Sequence, residues 1–330
     1  MRVSLKNLII PSIPLAVVLV GSCFVIWMSA YLGAPYSTVA TQNTALDASL
    51  QSIFSLNLLL SNLVCISLTL LNAFLIAQIN NRFTIIRTRT FLPILIFLIL
   101  MSTWNQTHIM IGSLFGLTLF IFALFNFFNM SRDRKASEQA FTGSFLISVV
   151  SLLINPLIFV IPVCWVGFMM FQSFSFRTFL ASIFGVLIPW IIYLSVQYSL
   201  VPDFDITKHI NIYLNIDYTF STYALSEIIY AVAIGIIMLI SIIGMYSITN
   251  SDAINTRNKL NFLFLLLLSV IVLALLFRNQ FASFLPFIAL IYSILISHPL
   301  TLKQNNFYGI LFVVFCLFNI VFVISKYFIF

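Results

Sequence analysis

Long apolar runs alternate with short polar breaks along the whole chain, and one stretch sets the frame for the rest. Residues 131–177 read SRDRKASEQ, the apolar run AFTGSFLISVVSLLI, the pair Asn155–Pro156, a second run LIFVIPVCWVGFMMF, and QSFSFR. Each run is too apolar for a helix lying at a water surface, and cations flank both outer ends. The pattern predicts a transmembrane hairpin with both feet on the cytoplasmic side, where Lys and Arg are retained. Pro162 should kink the second arm or sit in its first turn.

The other runs fall into register around that hairpin. Upstream, helices are expected over Ile9–Ala30 and Ile53–Ile79, joined by a polar loop from Gly33 to Leu50. The block Phe91–Phe128 is broken only by Trp104–His108. It therefore predicts two helices, the first too short to fill a core of ~30 Å unless tilted, re-entrant or shielded by protein. Downstream, helices are expected over Phe179–Ser199, with a bend at Gly185 and Pro189, and over Tyr223–Ile248, Phe262–Phe277, Ala282–Ser297 and Phe307–Phe330. His298–Pro299 is expected to end the tenth. The expected fold is an all-α, polytopic transmembrane helical bundle, one membrane domain over residues 1–330. It has about eleven spans, with nine as a lower bound, a cytoplasmic N-terminus and no soluble domain.

Charge tests this layout independently, because the runs were delimited by hydropathy alone. Of the 15 cations, Lys208, Arg278 and Lys326 fall outside, and the rest, from Arg2 and Lys6 through the Arg82, Arg87 and Arg89 loop to Lys303, fall inside. That asymmetry is the one expected of a bacterial inner-membrane protein. Composition agrees: 62% of residues are hydrophobic and 7% charged, against about 25% charged in soluble domains. The net charge of +7 is spread over helix ends, which excludes a nucleic-acid interface as its purpose. Cys23, Cys65, Cys164 and Cys316 stand far apart in apolar runs and form neither a disulfide framework nor a zinc motif.

Candidate chemistry gathers on the outer side, where Asp47, Asp203, Asp205, Asp217 and Glu227 lie with His108, His209 and Arg278. Asp47 is the ionisable group of the first outer loop. It suits a general base or metal-binding carboxylate at the lipid–water boundary, or a plain N-cap for the helix that follows. Asp203, Asp205, His209 and Asp217 offer oxygen and imidazole ligands for a divalent cation, Mg or Mn, although their spacing fits no fixed template. Glu227, one turn inside a helix, needs a partner. Arg278 is an arginine on the side where arginine is disfavoured. It suits a clamp on the phosphate of a substrate, with His108 and Glu227 as further binding residues, or a side chain reaching for headgroups. The inner trio Arg82, Arg87 and Arg89 suits anionic headgroups or ordinary topogenic charge, and His298 has no assigned role. No span carries an ionisable residue at its middle, which disfavours an ion-coupled transporter. Hydrolase, zincin, Walker and dinucleotide motifs are absent.

The stretches NNRFTIIRTRTFLPILIFLIL and AFTGSFLISVVSLLINPLIFVIPVCWVGFMMFQSFSFRTFLASIFGVLIPWIIYL resemble a family of multi-pass membrane proteins of the Bacteroidota with no assigned activity. That resemblance implies a fold and transfers no active-site residues. A more distant one is to C-type glycosyltransferases that use polyprenyl-phosphate sugars, multi-helix proteins with an essential acid in the first external loop. Asp47 occupies the matching place, although it is single, lies late in its loop and is followed by no external domain. Two expectations follow. One is handling of a lipid-linked sugar or other polyprenyl-linked substrate at the outer leaflet, with Asp47 as base or metal ligand and Arg278 on phosphate. The other is a non-enzymatic accessory role among envelope-complex subunits, with a small-molecule transporter a third possibility.

Overall fold

A computed structural model describes residues 13–33, 45–55, 57–131, 133, 135–200, 225–249, 252–303 and 306–328. Among these the chain is all α-helical, in twelve helices: α1 (Ile13–Gly33), α2 (Ala45–Ser55), α3 (Leu58–Phe83), α4 (Leu92–Thr103), α5 (Ile111–Asn129), α6 (Ser137–Leu153), α7 (Ile161–Met170), α8 (Phe176–Leu200), α9 (Leu225–Thr249), α10 (Ile254–Leu276), α11 (Phe281–Leu302) and α12 (Asn306–Phe328). Short 3₁₀ turns, Asn105–Ile109, Asn155–Val160 and Arg278–Gln280, join α4 to α5, α6 to α7 and α10 to α11. Seven helices are long and apolar enough to cross a membrane. They are apolar all round, as helices surrounded by protein and lipid are.

Every expected helix is present, and four details differ. The first outer loop is partly helical: α2 begins at Ala45, so Asp47 lies in the first turn of a separate short helix. It does not cap α3, whose N-cap is Asn57, accepting from the Leu60 N–H at 3.4 Å. Helix α10 begins at Ile254, so Arg257 and Lys259 belong to its opening turns and not to an inner loop. Helix α11 continues through His298 and Pro299 to Leu302. Proline there lacks only one N–H, and near a C-terminus the remaining turn is held by neighbours. The second arm of the hairpin opens with the 3₁₀ turn at Asn155–Pro156, and Pro162 sits in the first turn of α7.

Helix α11 is the central element: nearly all of it is buried, and α4, α5, α9, α10 and α12 pack around it. Helix α4 spans roughly 18 Å at 1.5 Å per residue, and ten of its twelve residues are buried. It is shielded by protein, which resolves how so short an apolar helix is accommodated. Where α5 and α7 end and α10 begins, Phe127, Phe128, Phe168, Phe171 and Phe262 interlock edge to face, with centroids 5.4 Å apart for Phe127–Phe168 and 5.1 Å for Phe171–Phe262. Hydrogen bonds pin the helices laterally, a device suited to a medium in which apolar contact alone discriminates weakly. Asn72 donates to the Leu114 carbonyl (3.1 Å) and accepts from Thr118 (2.9 Å) between α3 and α5. Trp190 donates to Ser151 (3.1 Å) between α8 and α6. The same two helices approach closely at Gly185, where an added Cβ would lie 2.5 Å from the Phe141 carbonyl oxygen.

Candidate functional site

Among the described residues, Glu227 and Arg278 lie at one end of the bundle and Arg87, Asp252 and His298 at the other. At the end formed by the start of α9, the end of α10 and the turn after α4, a cavity of about 570 Å³ opens between α4, α9, α10 and α11. Its wall is almost entirely apolar: Leu100, Ile234, Met238, Ile271 and Ile288 face it from four helices. Helices α9 and α10 both pack on α11, and they meet each other through Tyr246 and Phe264, ring centroids 5.8 Å apart, at the end away from the cavity. Ile228, Val232 and Leu275, at the edge of the cavity, are about half exposed.

Two charged residues line the cavity, and both were expected from the sequence. Glu227 comes from the first turn of α9 and Arg278 from the 3₁₀ turn after α10. The Arg278 Nε donates to the Leu275 carbonyl (3.2 Å), so the guanidinium also completes the end of α10. A hydrogen-bonded set stiffens the far wall. The Tyr230 hydroxyl donates to Asn319 Oδ1 (2.8 Å), with Thr103 Oγ1 3.2 Å away, and its ring stacks on Phe322 at 4.0 Å. The Tyr292 hydroxyl reaches the Ile234 carbonyl at 3.4 Å.

Neither His108 nor Asp47 lines the cavity. His108 follows Thr107, a lining residue, but its own ring is fully buried and stacks on Trp27 with centroids 3.9 Å apart. Trp27 in turn donates to Ser102 of α4 at 3.2 Å. Asp47 is buried, accepts from Gln51 Nε2 (3.2 Å), and its carboxylate rests against Gly112 in the first turn of α5. A carboxylate over a helix N-terminus is a favourable electrostatic arrangement, and only a residue without Cβ leaves room for it there. Asp47 is therefore built into the packing of α2 on α5 and does not line the cavity. Asp203, Asp205, His209 and Asp217 lie outside the described residues. Among the described residues no group of three or more His, Cys, Asp or Glu could hold a metal ion.

At the opposite end is a cluster that sequence reasoning missed. Asp252, in the short connection between α9 and α10, has a fully buried side chain. Arg87 Nη2, from the α3–α4 loop, lies 2.5 Å from its Oδ1, and His298 Nε2, from α11, lies 3.1 Å from its Oδ2. Arg87, one of the trio read as headgroup contacts or ordinary topogenic charge, thus pairs with a buried carboxylate. Nearby, Lys259 is buried with its ammonium over the rings of Phe83 (4.9 Å) and Phe128 (5.9 Å). The signal for the cluster was an acid in a connection only four residues long. The signal for the cavity was the small residues Ala231 and Gly235, one turn apart on α9. Compared with known protein families, with curated proteins and with solved structures, the chain matches none.

Proposed function

We propose that the protein handles a lipid-linked anionic substrate, of the polyprenyl-phosphate-sugar class, at the outer leaflet of a bacterial inner membrane. In this reading the chain crosses the bilayer about eleven times with its N-terminus inside, and α2 lies at the outer surface. The observation that carries the reading is the cavity itself: an apolar chamber with a guanidinium and a carboxylate in its lining. Apolar walls with a few placed polar groups are the usual form of a small-ligand site. A hydrocarbon chain gains about 0.8 kcal/mol per buried methylene only relative to water, and little relative to lipid. Selectivity must therefore come from the polar end. Arg278 is suited to a phosphate, which its planar fork can grip through two hydrogen bonds.

Glu227 is the carboxylate in position to meet the group attached to that phosphate, as a hydrogen-bond acceptor or a base. It takes the role that the sequence suggested for Asp47. The distant likeness to polyprenyl-phosphate-sugar glycosyltransferases supports the choice of a sugar as that group. The test is cell-surface glycan profiling of strains carrying Arg278→Ala, Glu227→Gln or the wild-type chain at matched protein levels. Loss of a glycan species in both variants is the expected result. Unchanged glycans in both would overturn the reading and leave a non-enzymatic accessory role as its replacement.

A further inference from the structure

The two charges on the cavity wall are of opposite sign, and they are not spent on each other. Glu227 and Arg278 are the charged residues of the lining, and every other lining group is neutral. Among the described residues the Glu227 carboxylate has no hydrogen-bond or ion-pair partner, so it is not joined to Arg278. What sustains an anion there is the backbone. Glu227 lies in the first turn of α9, where the unsatisfied N–H groups of a helix start favour negative charge. The helix start supports the charge and supplies no cation, so the carboxylate is left for a cation that a ligand brings.

The neutral polar groups of the lining are already engaged. The Tyr230 hydroxyl is spent on Asn319 and Thr103, the Tyr292 hydroxyl on the Ile234 carbonyl, and the Thr107 hydroxyl on the Met101 and Trp104 carbonyls. Recognition of a polar headgroup therefore falls to the two charges. Tyr230 lies one turn along α9 from Glu227, on the same face. Trp104 lines the cavity with it, its ring centroid 5.9 Å from that of Tyr230 and 6.2 Å from that of Phe281. Aromatic rings close to a carboxylate suit an ammonium, which their quadrupoles attract.

A phosphate on Arg278 with a neutral group attached would bring a second anion beside Glu227, in an apolar wall where charge is weakly screened. A headgroup carrying both a phosphate and an ammonium meets both residues and leaves the site neutral. We infer that the ligand's headgroup is zwitterionic, with its phosphate on Arg278 and a primary ammonium on Glu227. The ammonium is primary because a carboxylate is met most strongly by charged N–H donors. The inference rests on the reading of the cavity as a lipid-phosphate site, and it narrows the group attached to the phosphate to one with a free amine. An amino sugar on a polyprenyl phosphate and the ethanolamine of a glycerophospholipid share this chemistry.

The test uses the full-length protein in micelles of a polyoxyethylene ether, which carries neither phosphate nor amine, with binding read by native mass spectrometry and by competition. Two matched pairs are the probes: dioleoyl phosphatidylethanolamine with its N-acetyl derivative, and decaprenyl phosphate carrying glucosamine or N-acetylglucosamine. Acetylation removes the positive charge and leaves the chains alone, so the contribution of the chains cancels within a pair. Farnesyl phosphate, which has no amine, is the reference for the phosphate contact. The amine of at least one pair is expected to bind about tenfold more tightly than its acetylated partner, and the pair that shows the preference identifies the source of the ammonium. A preference confined to the ethanolamine pair supports the zwitterion and overturns the polyprenyl part of the functional reading. Glu227→Gln is expected to abolish the preference while binding the acetylated lipids as wild type does, which a merely structural glutamate would not do. Arg278→Ala is expected to weaken every probe. If both acetylated lipids bind as tightly as their amines, or if Glu227→Gln keeps the preference, the zwitterion inference falls, and the lipid-phosphate site stands as long as Arg278→Ala weakens farnesyl phosphate. If Arg278→Ala weakens no probe, both fall.

Discussion

The Asp252 cluster gives the most direct test of the architecture, because its energetics have a definite sign. Asp252 carries a carboxylate with no solvent exposure, and its charge is met by Arg87, whose side chain is 45% exposed, and by the fully buried His298. Removing the cation strands a buried anion, a change that costs about 3–5 kcal/mol in enclosed pairs. Because Arg87 is almost half exposed, solvent screens part of that interaction, and about 2–3 kcal/mol is the appropriate expectation for Arg87→Ala. Asp252→Asn keeps the volume and removes the charge. Arg87 is then resolvated and His298 keeps a polar neighbour, so the loss should be about 1–2 kcal/mol.

The double variant decides the matter. Once the carboxylate is gone, Arg87 has nothing to neutralise. Arg87→Ala combined with Asp252→Asn should therefore be no less stable than Asp252→Asn alone, a coupling of about 2 kcal/mol. Equilibrium unfolding in mixed micelles, titrated with a denaturing detergent and followed by circular dichroism, measures all four species. Additivity of the two single changes within about 0.5 kcal/mol would refute the reasoning. The two chain segments would then be held by their packing alone, with the ion pair incidental.

Two further changes test the packing of the outer half and of the hairpin. Gly185→Ala places a methyl 2.5 Å from the Phe141 carbonyl oxygen, a backbone atom that cannot rotate away. Helices α6 and α8 must separate, and a loss of about 1–3 kcal/mol is expected by the same unfolding assay. Asp47→Ala removes a buried carboxylate from the first turn of α5 and should cost about 1–2 kcal/mol. Binding of farnesyl phosphate should survive it, and a loss of binding at unchanged stability would return Asp47 to the site.

How much of this was legible in the sequence follows from what each feature depends on. Helix positions depend on local hydropathy and on breaks such as Trp104–His108 and Asn155–Pro156, so they could be read directly. The segregation of Arg87 and Asp252 to one end, and of Glu227 and Arg278 to the other, followed from the cation bias. The start of α10 was misread because Asn255, Arg257 and Lys259 look like loop residues in a hydropathy profile. In the structure they occupy turns whose polar groups find partners. Asn255 accepts from Ser131 at 2.6 Å, and the Lys259 ammonium rests on two aromatic faces. Tertiary contacts of that kind leave no trace in a linear pattern.

The division of the outer residues shows the same limit more sharply. From sequence, Asp47, as base or metal ligand, and His108, Glu227 and Arg278, as binding residues, were candidates near one surface. Only the packing separates them. Asp47 is drawn to Gly112 because a helix start there presents N–H groups and no Cβ, and His108 is drawn beneath Trp27 because a 3₁₀ turn after α4 points it inward. Glu227 and Arg278 remain on the cavity at one end of α9 and α10, while Asp252 joins the two helices to α11 and Arg87 at the other. The same hairpin thus carries the buried ion pair at its closed end and the charged lining at its open end. A cavity between two helices persists only where something other than mutual contact holds them apart. Here α11 holds them from behind, Tyr230 ties α9 to α12, and the Asp252 cluster fixes the turn.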